Sequence, residues 1–216
     1  MSPPDPDSEG SPAEPTGVTA TSQGTSRAAF RQIGERERYS GERLRVVVGT
    51  FVGPDGFTFE REIVRTFDAV CIVALESDRE HVLLVRQYRG PVDRALLELP
   101  AGKLDIVGEP PELCAARELA EEVGTEAERF TELGRFFISP GYSDELTICF
   151  LAEELKRGTR AADGIEEEHL VVERISLGSV EELIATGEIA DAKTIAGLLL
   201  ARSVLKTAPT GPKTSG

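Results

Sequence analysis

The sequence predicts an α/β or α+β layered domain, and three observations predict it. Short apolar runs with strand spacing recur before, between and after stretches with helical spacing. One run, Ala69 to Leu75, is apolar without a break, as a strand buried on both faces would be. After Pro110-Pro111 the period changes, with Leu113, Ala116, Ala120 and Val123 at helical spacing and Gly124 next as a helix stop.

The elements follow in order. Residues 1–28 are rich in Pro, Ser, Gly, Thr and Glu and nearly free of large apolar groups, so they are expected to form a disordered tail, as are residues 207–216. Leu44 to Phe51 reads as a strand, Pro54-Asp55-Gly56 as a turn and Phe57 to Phe67 as a returning strand. This hairpin belongs to an N-terminal unit, 29–66, ahead of a main domain, 67–206. In the main domain Ala69 to Leu75 is the central strand, Val82 to Tyr88 the next, and Leu96 to Leu99 a short one stopped by Pro100. Beyond the helix, strands are expected at Leu133 to Ile138, Leu146 to Glu153 and Leu170 to Ser176. Helices from Ser179 to Thr186 and from Lys193 to Leu205 close the domain.

Bulk properties narrow the function. With 216 residues, 40% of them hydrophobic and 29% charged, the chain has the composition of an ordinary globular protein. A net charge of -14 argues against a nucleic-acid partner, because no large basic surface can be built from it. Acidity still allows a phosphate substrate, since carboxylates hold divalent cations and cations hold phosphates. Cys71, Cys114 and Cys149 are too scattered for a zinc pair, and His81 and His169 cannot build a histidine-rich site. No apolar run approaches the roughly 20 residues of a membrane span, and none resembles a secretory signal. A cytoplasmic location without membrane contact is therefore expected.

The chemistry is concentrated in GKLDIVGEPPELCAARELAEEVGT, from Gly102 to Thr125. Glu118 and Glu121 are three apart and Glu118 and Glu122 four apart, which makes them neighbours on a helix. Carboxylates crowded in this way repel one another unless a hard divalent cation, Mg²⁺ foremost, draws them together. A solvated acidic helix face would look the same on these residues alone. The context separates the two readings: a glycine before, an arginine inside and a glycine after.

That context resembles the Nudix box, G-x5-E-x7-R-E-U-x-E-E-x-G-U with U aliphatic. Gly102, Glu109, Arg117, Glu118, Leu119, Glu121, Glu122 and Gly124 fill it in order. Six residues instead of five separate Gly102 from Glu109, and Thr125 stands at the last aliphatic position. The extra residue falls in a loop, where insertions are tolerated. VLLVRQYRG, LLELPAGKLD and SPGYSDE, with Pro140 about 15–16 residues past the box, resemble the ADP-ribose pyrophosphatase branch of the family. The resemblance covers roughly Tyr39 to Leu205.

The resemblance implies a Nudix-like fold, a mixed β-sheet sandwiched between helices with an N-terminal β-hairpin subdomain. It implies Mg²⁺, with Mn²⁺ as a substitute, held by Glu118, Glu121, Glu122 and the backbone carbonyl of Ala101. Arg117 is expected to orient a carboxylate, Glu109 to tie the loop to the helix, and Gly102 and Gly124 to shape the motif. The general base resembles a glutamate on the loop before the last strand. Among Glu166, Glu167 and Glu168, alignment with Leu170-Val171-Val172 favours Glu168, then Glu166, with Glu121 the candidate inside the box. Arg89 is similar to an arginine that holds the diphosphate, with Glu98 its acidic partner. Arg65 resembles an arginine packing on adenine, from the other subunit of a homodimer, and Glu145 a residue bonding the terminal ribose. The branch often has an aromatic residue in the first strand, where this chain has Gly41-Glu42-Arg43-Leu44, and Arg43 could stack there instead.

The expected activity is magnesium-dependent hydrolysis of ADP-ribose, or a related nucleoside diphosphate sugar, to AMP and ribose 5-phosphate. A broader hydrolase, such as a GDP-mannose pyrophosphatase, would carry the same box. A non-catalytic ADP-ribose-binding sensor is a third reading, disfavoured by the intact set of box glutamates.

Overall fold

A computed structural model describes residues 30–158 and 169–207 of the chain. The segments expected as tails lie almost wholly outside the described residues. At the C-terminal end the last helix runs on to include Thr207, which had been expected to open the tail.

The central strand, β4 (Ala69–Leu75), is buried along its whole length. Its side chains alternate between two apolar layers. Cys71, Val73 and Leu75 join Leu84, Leu97, Leu99, Cys149 and Leu151 on one side. Val70, Ile72 and Ala74 join Cys114, Ala115, Leu119, Ile148 and Phe150 on the other. Each fully buried Leu or Ile contributes about 1.5–3 kcal/mol from removal of apolar surface from water, which is why a strand apolar on both faces belongs at the centre. The three cysteines are buried free thiols and act as small apolar fillers.

Around β4 the main sheet runs β10-β5-β4-β9-β8, with β5 (His81–Arg89), β8 (Thr125–Phe137), β9 (Leu146–Arg157) and β10 (Val171–Ser176). The β4–β9 pair is parallel and the rest are antiparallel, so the sheet is mixed. β5 meets β4 only at Ala74↔Leu83 and Leu75↔Val82 and then diverges. The gap is filled by β6 (Arg94–Glu98) on β5 and β7 (Ala101–Lys103) on β4. Helix α1 (Pro111–Glu118) covers one face, and α2 (Val180–Ala185) and α3 (Ala192–Thr207) cover the other. This is the expected sheet between helices.

The hairpin is present as β2 (Leu44–Val52) and β3 (Thr58–Thr66), turned at Gly56 with φ 82°. A strand that the sequence did not disclose, β1 (Arg31–Ser40), adds to β2 and makes a separate three-stranded sheet. All ten residues of β1 are exposed, so no apolar alternation marks it, and backbone pairing with β2 defines it. β8 begins at Thr125 rather than near Leu133; in its first half Ala127 and Phe130 reach the core between exposed Glu126, Glu128 and Arg129, too sparse an apolar pattern to mark a strand. Residues 41–43, compared above with a strand, form the turn between β1 and β2. Among the described residues, no helix is long and apolar enough to cross a membrane.

Candidate active site

The candidate site forms where the β5–β6 ladder, β7 and the end of α1 meet. Pro100 interrupts the chain between β6 and β7, so Glu98 and Ala101 fall on different strands. The Pro100 carbonyl accepts from Ile72 N at 2.9 Å, and Ala69, Val70 and Cys71 pair with Lys103, Gly102 and Ala101. The short strand is thus fixed to the most buried part of the sheet.

Helix α1 starts at Pro111, where a missing N–H costs nothing. After Glu118 the helix widens into a π turn, Leu119–Val123, and Gly124 ends it at φ 68° with its N–H on the Ala120 carbonyl. Such single wide turns inside α-helices recur at functional sites. Here the wide turn carries Glu121 and Glu122 on from Glu118 with altered spacing. Glu118 is 7% exposed and Glu122 3%.

One guanidinium faces three of these carboxylates. Arg117 donates Nε and Nη2 to the two oxygens of Glu109, both at 3.1 Å. Its Nη1 reaches Glu118 Oε1 at 2.7 Å and Glu121 Oε2 at 3.1 Å. The Arg117 hydrogen bonds hold the Glu109 carboxyl below its ordinary range. Ala101 N donates to Glu122 Oε2 at 3.0 Å, tying β7 to the wide turn. Gly102 lies against Glu118 so closely that a Cβ there would overlap its carboxyl group. Gly102, Glu109, Arg117, Glu118, Glu121, Glu122 and Ala101 therefore come together in one place.

Arg89, at the end of β5, is joined to this place through Glu98. Its Nε and Nη2 donate to the two Glu98 oxygens at 2.9 and 2.8 Å. The Glu98 side chain is 1% exposed and that of Arg89 36%. Burial pushes the Glu98 carboxyl up, but the Arg89 hydrogen bonds and the charges of Lys193 and Arg89 outweigh it and hold the group low. Arg89 is pushed up, first by its bonds to Glu98 against the opposing effect of burial, then by the charges of Glu98, Glu122 and Asp191.

Two expected residues sit in a neighbouring cluster. Arg65, on β3, bonds Glu35 Oε2 at 2.6 Å, Gln32 at 3.2 Å and Asp144 Oδ2 at 3.1 Å. The Glu35 and Gln32 contacts tie β3 to β1, whereas Asp144, with Val64 N on the Tyr142 carbonyl at 2.7 Å, fastens the hairpin to the loop holding Pro140. Glu145 pairs with Lys103 of β7 at 2.8 Å, which brings it alongside the Gly102 strand. Arg43 lies in the β1–β2 turn and contributes its carbonyl to Thr66 Oγ1. Glu166, Glu167 and Glu168 lie outside the described residues.

The sequence reading did not single out Asp191, Lys193 and Thr194. Asp191 caps α3, accepting from Thr194 N at 2.9 Å and Thr194 Oγ1 at 2.6 Å. Lys193 bonds Glu98 and lies 3.0 Å from Asp191. An aspartate just before a helical run, three residues ahead of a threonine, was the available signal.

Glu76, Asp78 and His81 form another group whose ligand atoms lie within 4.8 Å of one another, at the opposite end of β4. Arg174 offsets part of its charge, bonding Glu76 and, at 2.6 Å, Asp78.

The family model described as the NUDIX domain matches residues 65–198. The chain is 37% identical over 164 residues to the ADP-ribose pyrophosphatase of Bacillus subtilis (strain 168), covering 76% of this chain and 88% of that protein. It is 40% identical over 151 residues to the ADP-ribose pyrophosphatase of Mycobacterium tuberculosis, covering 70% of this chain and 72% of that protein. Among solved structures, one titled as an ADP compounds hydrolase superposes with a TM-score of 0.73 at 22% identity, covering 86% of this chain and 99% of that one.

Proposed function

This chain belongs to the NUDIX family and is a pyrophosphohydrolase, and from that premise we propose that it hydrolyses ADP-ribose to AMP and ribose 5-phosphate in a magnesium-dependent reaction. The observation that carries the proposal is the acidic turn: Glu118 against Gly102, Glu121 sharing Arg117 with Glu118, and Glu122 bonded to Ala101 N. Hard oxygen donors of this kind, two of them on buried residues, suit a small divalent cation. Glu118, Glu121, Glu122 and the Ala101 carbonyl would hold magnesium or, in its place, manganese. When bound, the metal supplies neutralisation of the diphosphate charge and makes water more acidic.

The side chains have distinct tasks in this reading. Arg117 sets the orientation of Glu118 and Glu121, with Glu109 gripping the other edge of its guanidinium. Arg89 binds a diphosphate oxygen, and buried Glu98 fixes its direction. A carboxylate accepts the proton of the attacking water as the bridging P–O bond breaks. Glu168 is the first candidate, then Glu166, with Glu121 the candidate within the box. Arg65 contacts the adenine and Glu145 the terminal ribose. The protein acts as a cytoplasmic homodimer built through its N-terminal unit, 29–66. In support, among the described residues β1 pairs with β2 on one side only, and all ten of its residues are exposed.

The test is incubation of the purified full chain with ADP-ribose and Mg²⁺, with GDP-mannose and NADH in parallel. The expected result is AMP release fastest from ADP-ribose and abolished by a chelator. Faster cleavage of GDP-mannose would replace the substrate while keeping the chemistry. Binding of ADP-ribose with no metal-dependent cleavage would point instead to the sensor reading.

A further inference from the structure

Glu98 carries two cations in a site with little water. Its side chain is 1% exposed, and besides Arg89 it binds Lys193, whose side chain is 14% exposed. Lys193 in turn touches Asp191, 3.0 Å away. Cations and anions alternate along this row: Arg89, Glu98, Lys193, Asp191. The row is anchored to the fold at its far end. Asp191 caps α3 through Thr194, whose Oγ1 also accepts the Leu99 N–H at 2.9 Å, next to Glu98. At Gly197 a Cβ would come within 2.6 Å of Leu99 Cδ1, so α3 and the 97–99 segment are held in close register.

Two properties of the row bear on Arg89. A buried carboxylate is poorly screened by water, so its charge acts strongly on the cations bonded to it. Lys193, bonded to Oε2, adds a second positive charge beside Glu98, so the site around Arg89 is more positive than the Arg89–Glu98 pair alone would make it, with Asp191 offsetting part of this from the far side of Lys193. Geometry acts in the same direction. Glu98 uses Nε and Nη2 of Arg89, and the second cation keeps the carboxylate in the plane that makes this pair bidentate. The Nη1 group takes no part in the Glu98 pair and belongs to a side chain that is 36% exposed.

We propose that Lys193 is a positioning residue for the substrate diphosphate: it acts through Glu98 to fix the aim and the usable charge of Arg89. The proposal rests on the reading of Arg89 as a diphosphate contact. Lys193 touches no substrate atom in this account.

Binding is measured directly, so that the effect on Arg89 is separated from turnover. The dissociation constant for ADP-ribose is determined by calorimetry on the full chain in the presence of a chelator, for wild type, Lys193→Gln, Lys193→Arg, Arg89→Met and the Arg89→Met/Lys193→Gln double variant. Removing the charge in Lys193→Gln is expected to raise Kd about tenfold, and Lys193→Arg to bring it back to within about threefold of wild type. In the Arg89→Met background the same Lys193→Gln change adds less than about twofold, because its effect passes through Arg89. A purely structural role for Lys193 would lower the melting temperature and the folded fraction and leave the Kd of the folded protein where it was. A Kd in Lys193→Gln within about twofold of wild type, or an undiminished effect without Arg89, overturns the proposal. If wild type itself neither binds nor cleaves ADP-ribose, the substrate reading fails and this one falls with it. If wild type binds and Lys193→Gln binds equally well, this proposal alone is overturned.

Discussion

At the scale of single residues the site depends on contacts that leave no spare room. Gly102 is required less for backbone freedom than for space, because any side chain there meets the Glu118 carboxyl. Gly102→Ala is expected to displace Glu118 and lower turnover at least about tenfold, with a modest loss of stability. Turnover equal to wild type would show that Glu118 does not need its observed place. The Glu109–Arg117 pair makes a prediction about acid. Arg117 holds the Glu109 carboxyl below its ordinary value of 4.5, so the folded state keeps it ionised at pH values where the unfolded chain protonates it. That contribution to stability is complete above about 4.5 and disappears as pH falls through the lowered folded value. Urea midpoints measured from neutral pH down to about pH 3 should therefore fall less steeply in Glu109→Gln than in wild type. Parallel curves would contradict the assignment. The box residues were legible because chemistry fixes both their identity and their spacing. Lys193 was not, since its partner Glu98 is remote in sequence and only the fold brings them together.

Among the elements, the legible ones were those whose side chains face an apolar layer. β4 was readable to its ends, being buried on both faces. β1 was invisible, because ten exposed residues leave no apolar periodicity to find. The helix after Pro110 was readable as far as Gly124, but its π turn was not, since apolar spacing over a single turn cannot separate the two windings. Gly124 closes that turn at φ 68°, a conformation disfavoured for residues with a Cβ. Gly124→Ala should cost about 1 kcal/mol in chemical denaturation and should also disturb Glu122 two residues earlier. An unchanged denaturation midpoint would mean that the turn accommodates a side chain there without strain.

For the molecule as a whole, the sheet between helices was foreseeable from the alternation of periods, while the separate three-stranded sheet was only half foreseeable, as a hairpin. The proposed homodimer is a property of the whole molecule. Light scattering at micromolar concentration should return twice the 23.3 kDa mass of the chain; a single chain mass would remove the rationale for Arg65 acting from a partner. The central claim is that the wide turn of α1 is the metal-holding centre of a pyrophosphohydrolase. Its most direct test is ADP-ribose turnover against magnesium concentration, in wild type and in Glu122→Gln. Wild-type turnover is expected to saturate with the metal and to stop with chelator. Glu122→Gln should lose at least about a hundredfold in turnover while its circular dichroism remains that of the folded protein. Full turnover in Glu122→Gln, or wild-type turnover indifferent to magnesium, would contradict it.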